Sequence, residues 1–192
     1  MTSSGAGSTP ELPIRRSSSA LGLVAGGFAV ASGCAYIAYL LVGIQFRDTS
    51  IAAWNILIIP TALSLGVRLA AHGALVSAAS AAAGVAASWL WAFGHDVPEL
   101  EPWWIGLAAA WWLGLGWQLR TERPTLGLFT VLLGVSATVD FILTALNAPT
   151  PIYALGGFKI PLTIVWSLWL GVALLRYPRL GAPQGRDARA AM

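Results

Sequence analysis

Six stretches of about twenty mainly apolar residues, separated by short polar breaks, leave this chain few ways to fold. They run Ala20 to Ile44, Ile51 to Ala71, Ala74 to Phe93, Trp103 to Leu119, Thr125 to Asn147 and Leu155 to Leu175. Each is close to the roughly 20 residues that carry a helix across about 30 Å of hydrocarbon at about 1.5 Å per residue. Backbone that faces lipid must satisfy its own hydrogen bonds, so these stretches read as helices and not as open strands. The expectation is an all-α, polytopic membrane bundle of six transmembrane helices with short loops, filling residues 20–177. Residues 1–19, rich in Ser, Gly and Pro, and the basic segment 178–192 bury little and read as disordered cytoplasmic tails.

Composition removes several alternatives. Charged residues make up 10% of the 192 positions and hydrophobic ones 57%, whereas an ordinary soluble domain carries about 25% charge. Six spans consume nearly the whole chain, so any chemistry must sit within the bundle or at its rim. The net charge of +3 comes from arginines spread over helix ends and tails. With no basic cluster on one polar face, nucleic acid is excluded as a partner. Cys34, the single cysteine, rules out an internal disulfide and a Cys-x-x-Cys redox pair. With six spans, Arg15, Arg16, Arg68, Arg120, Arg123, Arg176 and the tail arginines all fall on one side. By the positive-inside rule both termini are then cytoplasmic, in a multi-pass protein of the cell membrane.

Small residues suggest how the helices meet. The third stretch is almost entirely Ala, Ser and Gly, and Ser80, Gly84 and Ser88 recur every four positions. Such faces let backbones approach closely, which places this helix in the middle of the bundle or makes it a docking face for a membrane-protein partner or a second copy. Leu65-Gly66, Leu115-Gly116 and Leu170-Gly171 recur near the same end of the even-numbered stretches. Three copies of a two-helix hairpin would produce that echo. The frequency of Leu and Gly in such a chain would produce it too.

The polar residues inside the spans carry the functional question. Asp140 lies seven residues before Asn147, about 10 Å below the end of its helix. An ionisable group at that depth costs about 2.5 to 3.5 kcal/mol and must be paired, protonated or reached by water. Lys159, the only lysine, is the natural counter-ion if the last helix begins near Leu155. If Pro161 begins that helix, Lys159 is an interfacial anchor instead. Asn55 and Gln45 belong to the same side and outline, with Asp140 and Lys159, a polar recess open to the outside. Trp111, Trp112 and Trp166 lie nearer the bilayer centre, where they either wall a ligand site or fill space left by the Ala-rich helix. Trp54, Trp89, Trp91, Trp103 and Trp104 read as interfacial anchors. Arg68 and His72 read as a snorkelling and capping pair at the opposite side.

Standard catalytic signatures are missing from the sequence. There is no Ser-His-acid set, His-Glu-x-x-His, phosphate loop or nucleotide fingerprint, and no cofactor is implied. The loop holding His95, Asp96, Glu99 and Glu101 lacks metal-site spacing and reads as a solvated acidic segment. The functional expectation is binding or translocation of a small amphipathic or lipid-like molecule in an outward-facing recess formed by Asn55, Asp140, Lys159, Trp111, Trp112 and Trp166. An intramembrane enzyme using Asp140 as catalytic acid on a lipid or isoprenoid, and a non-catalytic assembly partner, are the alternatives.

Overall fold

The computed structural model describes residues 13–41, 47–70, 73–94, 96–146, 152–178 and 180. Six α-helices run through them: α1 (Pro13–Leu41), α2 (Arg47–Leu69), α3 (Ala74–Gly94), α4 (Glu101–Leu119), α5 (Pro124–Ala145) and α6 (Ile152–Arg176). Proline opens α1 and α5, where its missing N–H costs nothing. The turn between α2 and α3 is made by Gly73 at φ +147°, a conformation that a side chain would strain. Its carbonyl then accepts from the Ser77 amide at 2.9 Å to start α3.

Five helices are long and apolar enough to cross a membrane: α1 from Ser19, α2 from Ala52, α3, α5, and α6 from Lys159. The fourth, α4, has 19 residues, and five of them are tryptophans. The indole N–H makes each of those rings amphipathic, and Glu101 and Gln118 add polar groups at its ends, which keeps α4 out of that set although it is packed between two members of it. Two boundaries differ from the apolar runs. Helix α1 begins at Pro13, ahead of the run that starts at Ala20, and Pro161 lies inside α6 and does not begin it. Membrane helices tolerate an internal proline because neighbouring groups satisfy the freed carbonyl. Gln45, His72 and His95 lie outside the described residues.

Each helix packs on the next, and α6 returns to α1, closing a ring of antiparallel neighbours. One end of this ring carries Arg68, Arg120, Arg123 and Arg176; the other carries Asn55 and Lys159. Three of its seams are built alike. Gly66 of α2 meets Ser77 and Ala81 of α3, Gly116 of α4 meets Gly127 and Val131 of α5, and Gly171 of α6 meets Gly26 and Val30 of α1. The two residues met are four apart every time. A Cβ on Gly116 would lie 2.7 Å from the Val131 nitrogen and 2.9 Å from the Gly127 carbonyl oxygen. On Gly171 it would lie 2.8 Å from the Val30 nitrogen and 2.9 Å from the Gly26 carbonyl oxygen. Backbone touches backbone at the Gly116 and Gly171 seams, whereas Gly66 meets the Ala81 methyl. The leucine before each glycine, Leu65, Leu115 or Leu170, is buried in the core, so each Leu-Gly pair of the echo occupies a like position at one of three seams.

Helix α3 is a wall of the ring and not its centre. Leu75, Val76, Trp89 and Phe93 project outward, and apart from Trp91 the residues that face in, such as Ser77, Ser80, Gly84 and Ala87, are small. Small size here admits the neighbour's bulk. A Cβ on Gly84 would sit 2.6 Å from the Trp111 ring. Trp111, Trp112 and Trp166 fill the interior, with centroids 5.4 Å apart for Trp111 and Trp166 and 6.0 Å for Trp112 and Trp166. The indole N–H of Trp166 donates to the Thr130 hydroxyl at 2.9 Å, joining α6 to α5.

Candidate functional site

A cavity of about 120 Å³ opens at the ring end opposite the arginines. Its walls come from every helix except α5, and aromatic rings dominate them: Tyr36, Trp54, Trp91, Trp104, Trp111 and Trp112. Polar atoms enter from Asn55, Ser88, Lys159 and Thr163. The floor is the tryptophan cluster, since Trp166 is wholly buried and meets Trp111 edge to face. Tyr36 and Trp54 pack together with centroids 5.1 Å apart, and Trp54 N–H reaches the Ser167 hydroxyl at 3.4 Å, which fixes that wall to α6.

Lys159 pairs with Asp140. Its ammonium donates to Oδ2 of the carboxylate, tying α6 to α5. The pair is asymmetric with respect to the cavity. Lys159 lines it, whereas Asp140 lies behind, 4% exposed and absent from the walls. The other carboxylate oxygen, Oδ1, is buried with no hydrogen-bond partner among the described residues. Helix α6 extends back past Pro161 and carries Lys159 on a helical turn beside Asp140.

A second buried polar atom belongs to a wall residue. Trp112 Nε1, a donor only, has no partner among the described residues. Lys159 is the charged residue on the cavity walls. A general acid must touch the group that it protonates, and Asp140 is screened from the cavity by Lys159.

Of the residues singled out in the sequence, Asn55, Lys159, Trp111 and Trp112 meet around this cavity, Asp140 stands behind Lys159, and Trp166 lies beneath the floor. Trp89 and Trp103 are exposed, as anchors would be. Trp54, Trp91 and Trp104 are wall residues instead. A signal for two of them is present in the numbering. Trp54, Trp104 and Lys159 are separated by 50 and 55 positions, the spacing of Gly66, Gly116 and Gly171. All three line the cavity. Among the described residues no group of three His, Cys, Asp or Glu side chains could hold a metal ion.

At the opposite end Arg68 is buried, 4% exposed, and does not snorkel. Its guanidinium donates to the Leu180 carbonyl, with Glu122 as its electrostatic partner, and Gly22 leaves the space that it occupies. Comparison with protein families, characterised proteins and solved structures gives no match to this chain.

Proposed function

We propose that this chain is a six-span protein of the cell membrane that binds or translocates a small amphipathic molecule through the aromatic cavity. Helix α4 is the sixth span, because its 19 residues reach about 28 Å between two helices that themselves cross. The clustering of arginines at one end supports a cytoplasmic location for that end and for both termini, and an outward-facing cavity. The occupant is a flat, largely apolar group bearing an acceptor oxygen, such as a carbonyl or carboxylate. Aromatic walls suit its body, and the Lys159 ammonium suits its oxygen. The volume is close to that of the roughly 150 Å³ engineered cavity that holds benzene, so one ring-sized group enters and any tail stays in lipid.

A single observation carries this reading: Lys159 is a charged wall of an aromatic cavity while its counter-ion, Asp140, lies outside the walls. The test is mass spectrometry of small molecules released from the protein purified in neutral detergent. A defined oxygen-bearing species is expected with wild type, reduced in Asn55→Ala and lost in Lys159→Met at equal protein recovery. An identical small-molecule profile in folded Lys159→Met would overturn the proposal.

A further inference from the structure

Among the described residues the seam between α5 and α6 is the loosest of the six in the ring, and α1 with α2 and α3 with α4 are more closely packed. Near the cavity end the seam is held by Asp140 and Lys159, and at mid-height by Trp166 on Thr130. Towards the arginine end it opens into a cleft of about 290 Å³ between Leu126 of α5 and Trp169, Val172 and Ala173 of α6. The apolar cleft runs into a wider depression of about 720 Å³ across the end of the bundle. Arg123, Arg176 and Tyr177 border both spaces and so stand where the apolar part meets the polar part. Arg123 is held there by its guanidinium lying 3.7 Å above the Tyr177 ring. Glu122 also borders both spaces, but it is the electrostatic partner of buried Arg68, which leaves two arginines facing the junction.

We propose that this cleft is a binding site for one anionic phospholipid, its phosphate at Arg123 and Arg176 and an acyl chain lying along Trp169 and Val172. The occupant follows from the order of the groups. A cleft lined by Leu126, Trp169, Val172 and Ala173 and ending in two guanidinium groups matches a lipid whose charge sits at the head, and basic pockets between membrane helices take such headgroups. The site is independent of the aromatic cavity. It lies at the other end of the bundle, and no residue borders both.

The experiment titrates the full-length protein in neutral detergent with phosphatidylglycerol, reading bound lipid by native mass spectrometry and thermal stability in parallel. Controls are phosphatidylcholine with the same chains and inorganic phosphate. Phosphatidylglycerol is expected to bind with one high-affinity site and to raise the melting temperature, while the two controls do neither. Arg123→Gln and Arg176→Gln should each weaken that site about fivefold and together about thirtyfold. Arg186→Gln with Arg189→Gln, in the terminal segment, should leave it unchanged. Val172→Trp, which fills the cleft and spares both charges, should also abolish it; this outward-facing position tolerates bulk even if the arginine variants fold poorly. Equal binding of phosphatidylcholine would reduce the cleft to a surface for any chain. Stabilisation by phosphate alone would make it an anion site without a lipid. Undiminished binding in Val172→Trp would place the lipid elsewhere, and each of these results overturns the proposal.

Discussion

The glycine seams and the α5/α6 seam hold the same ring together by opposite means. Where Gly116 and Gly171 meet the neighbouring helix, backbone atoms of Gly127, Val131, Gly26 and Val30 set the distance, and at Gly66 the Ala81 methyl does. Between α5 and α6 the helices stand further apart, joined by the Asp140 carboxylate on Lys159 and the Trp166 indole on Thr130. Packing within lipid draws on van der Waals contact and interhelical hydrogen bonds, since burial of apolar surface gives no advantage over lipid tails. The first kind of seam gives shape. The second places polar groups at depth, and both the aromatic cavity and the lipid cleft adjoin helices of that seam.

The comparison breaks first, and most severely, at the glycines. Gly171→Leu should cost at least about 3 kcal/mol, beyond ordinary overpacking because rigid backbone of Gly26 and Val30 is what the new side chain meets. Loss of the monodisperse species on detergent size exclusion would report it, and a fully stable variant would mean that the seam is not in backbone contact. Next in size is Lys159→Met, which leaves the buried Asp140 carboxyl without its partner. Removing one member of a buried pair costs about 3 to 5 kcal/mol, so its melting temperature should fall well below that of wild type. A smaller loss is expected for Trp166→Phe. It removes the bond to Thr130, worth about 1 kcal/mol, and a little volume. Smallest, and of opposite sign, is Gly27→Ala. Nothing lies within 4 Å of a Cβ there, so the gain of helix propensity, up to about 1 kcal/mol, should appear as a slight stabilisation.

The helical, membrane-like character of the chain was legible because a bilayer imposes one length and one polarity on everything that crosses it. Asp140 and Lys159 were legible for the same reason, as charges in apolar runs need a partner. What stayed hidden were relations between distant positions. Pro161 suggested a helix start, yet α6 continues through it, and only that continuation sets Lys159 beside Asp140. Tryptophan reads alike as an anchor or as a wall, because both need an apolar ring with one polar atom; which way Trp54 and Trp104 face depends on ring closure by α6. Ser80, Gly84 and Ser88 did signal close approach, but a small-residue face can be a thin wall as readily as a central strut. The place of the Leu-Gly echo, one pair at each of three like seams, emerged once the partners of each glycine could be compared. Arg68 shows the limit of reading a terminal charge as solvated, since the chain after α6 folds Leu180 back to cover it.

A double-mutant cycle on Asp140→Asn and Lys159→Met, read as thermal or denaturant stability of the purified protein, bears on the charged wall of the cavity with the fewest intermediaries. Coupling of at least about 1 kcal/mol is predicted, the double variant being more stable than the two single losses added together. Strict additivity would mean that the ammonium and the carboxylate never meet, and the cavity would then have no fixed charge to present to an incoming oxygen.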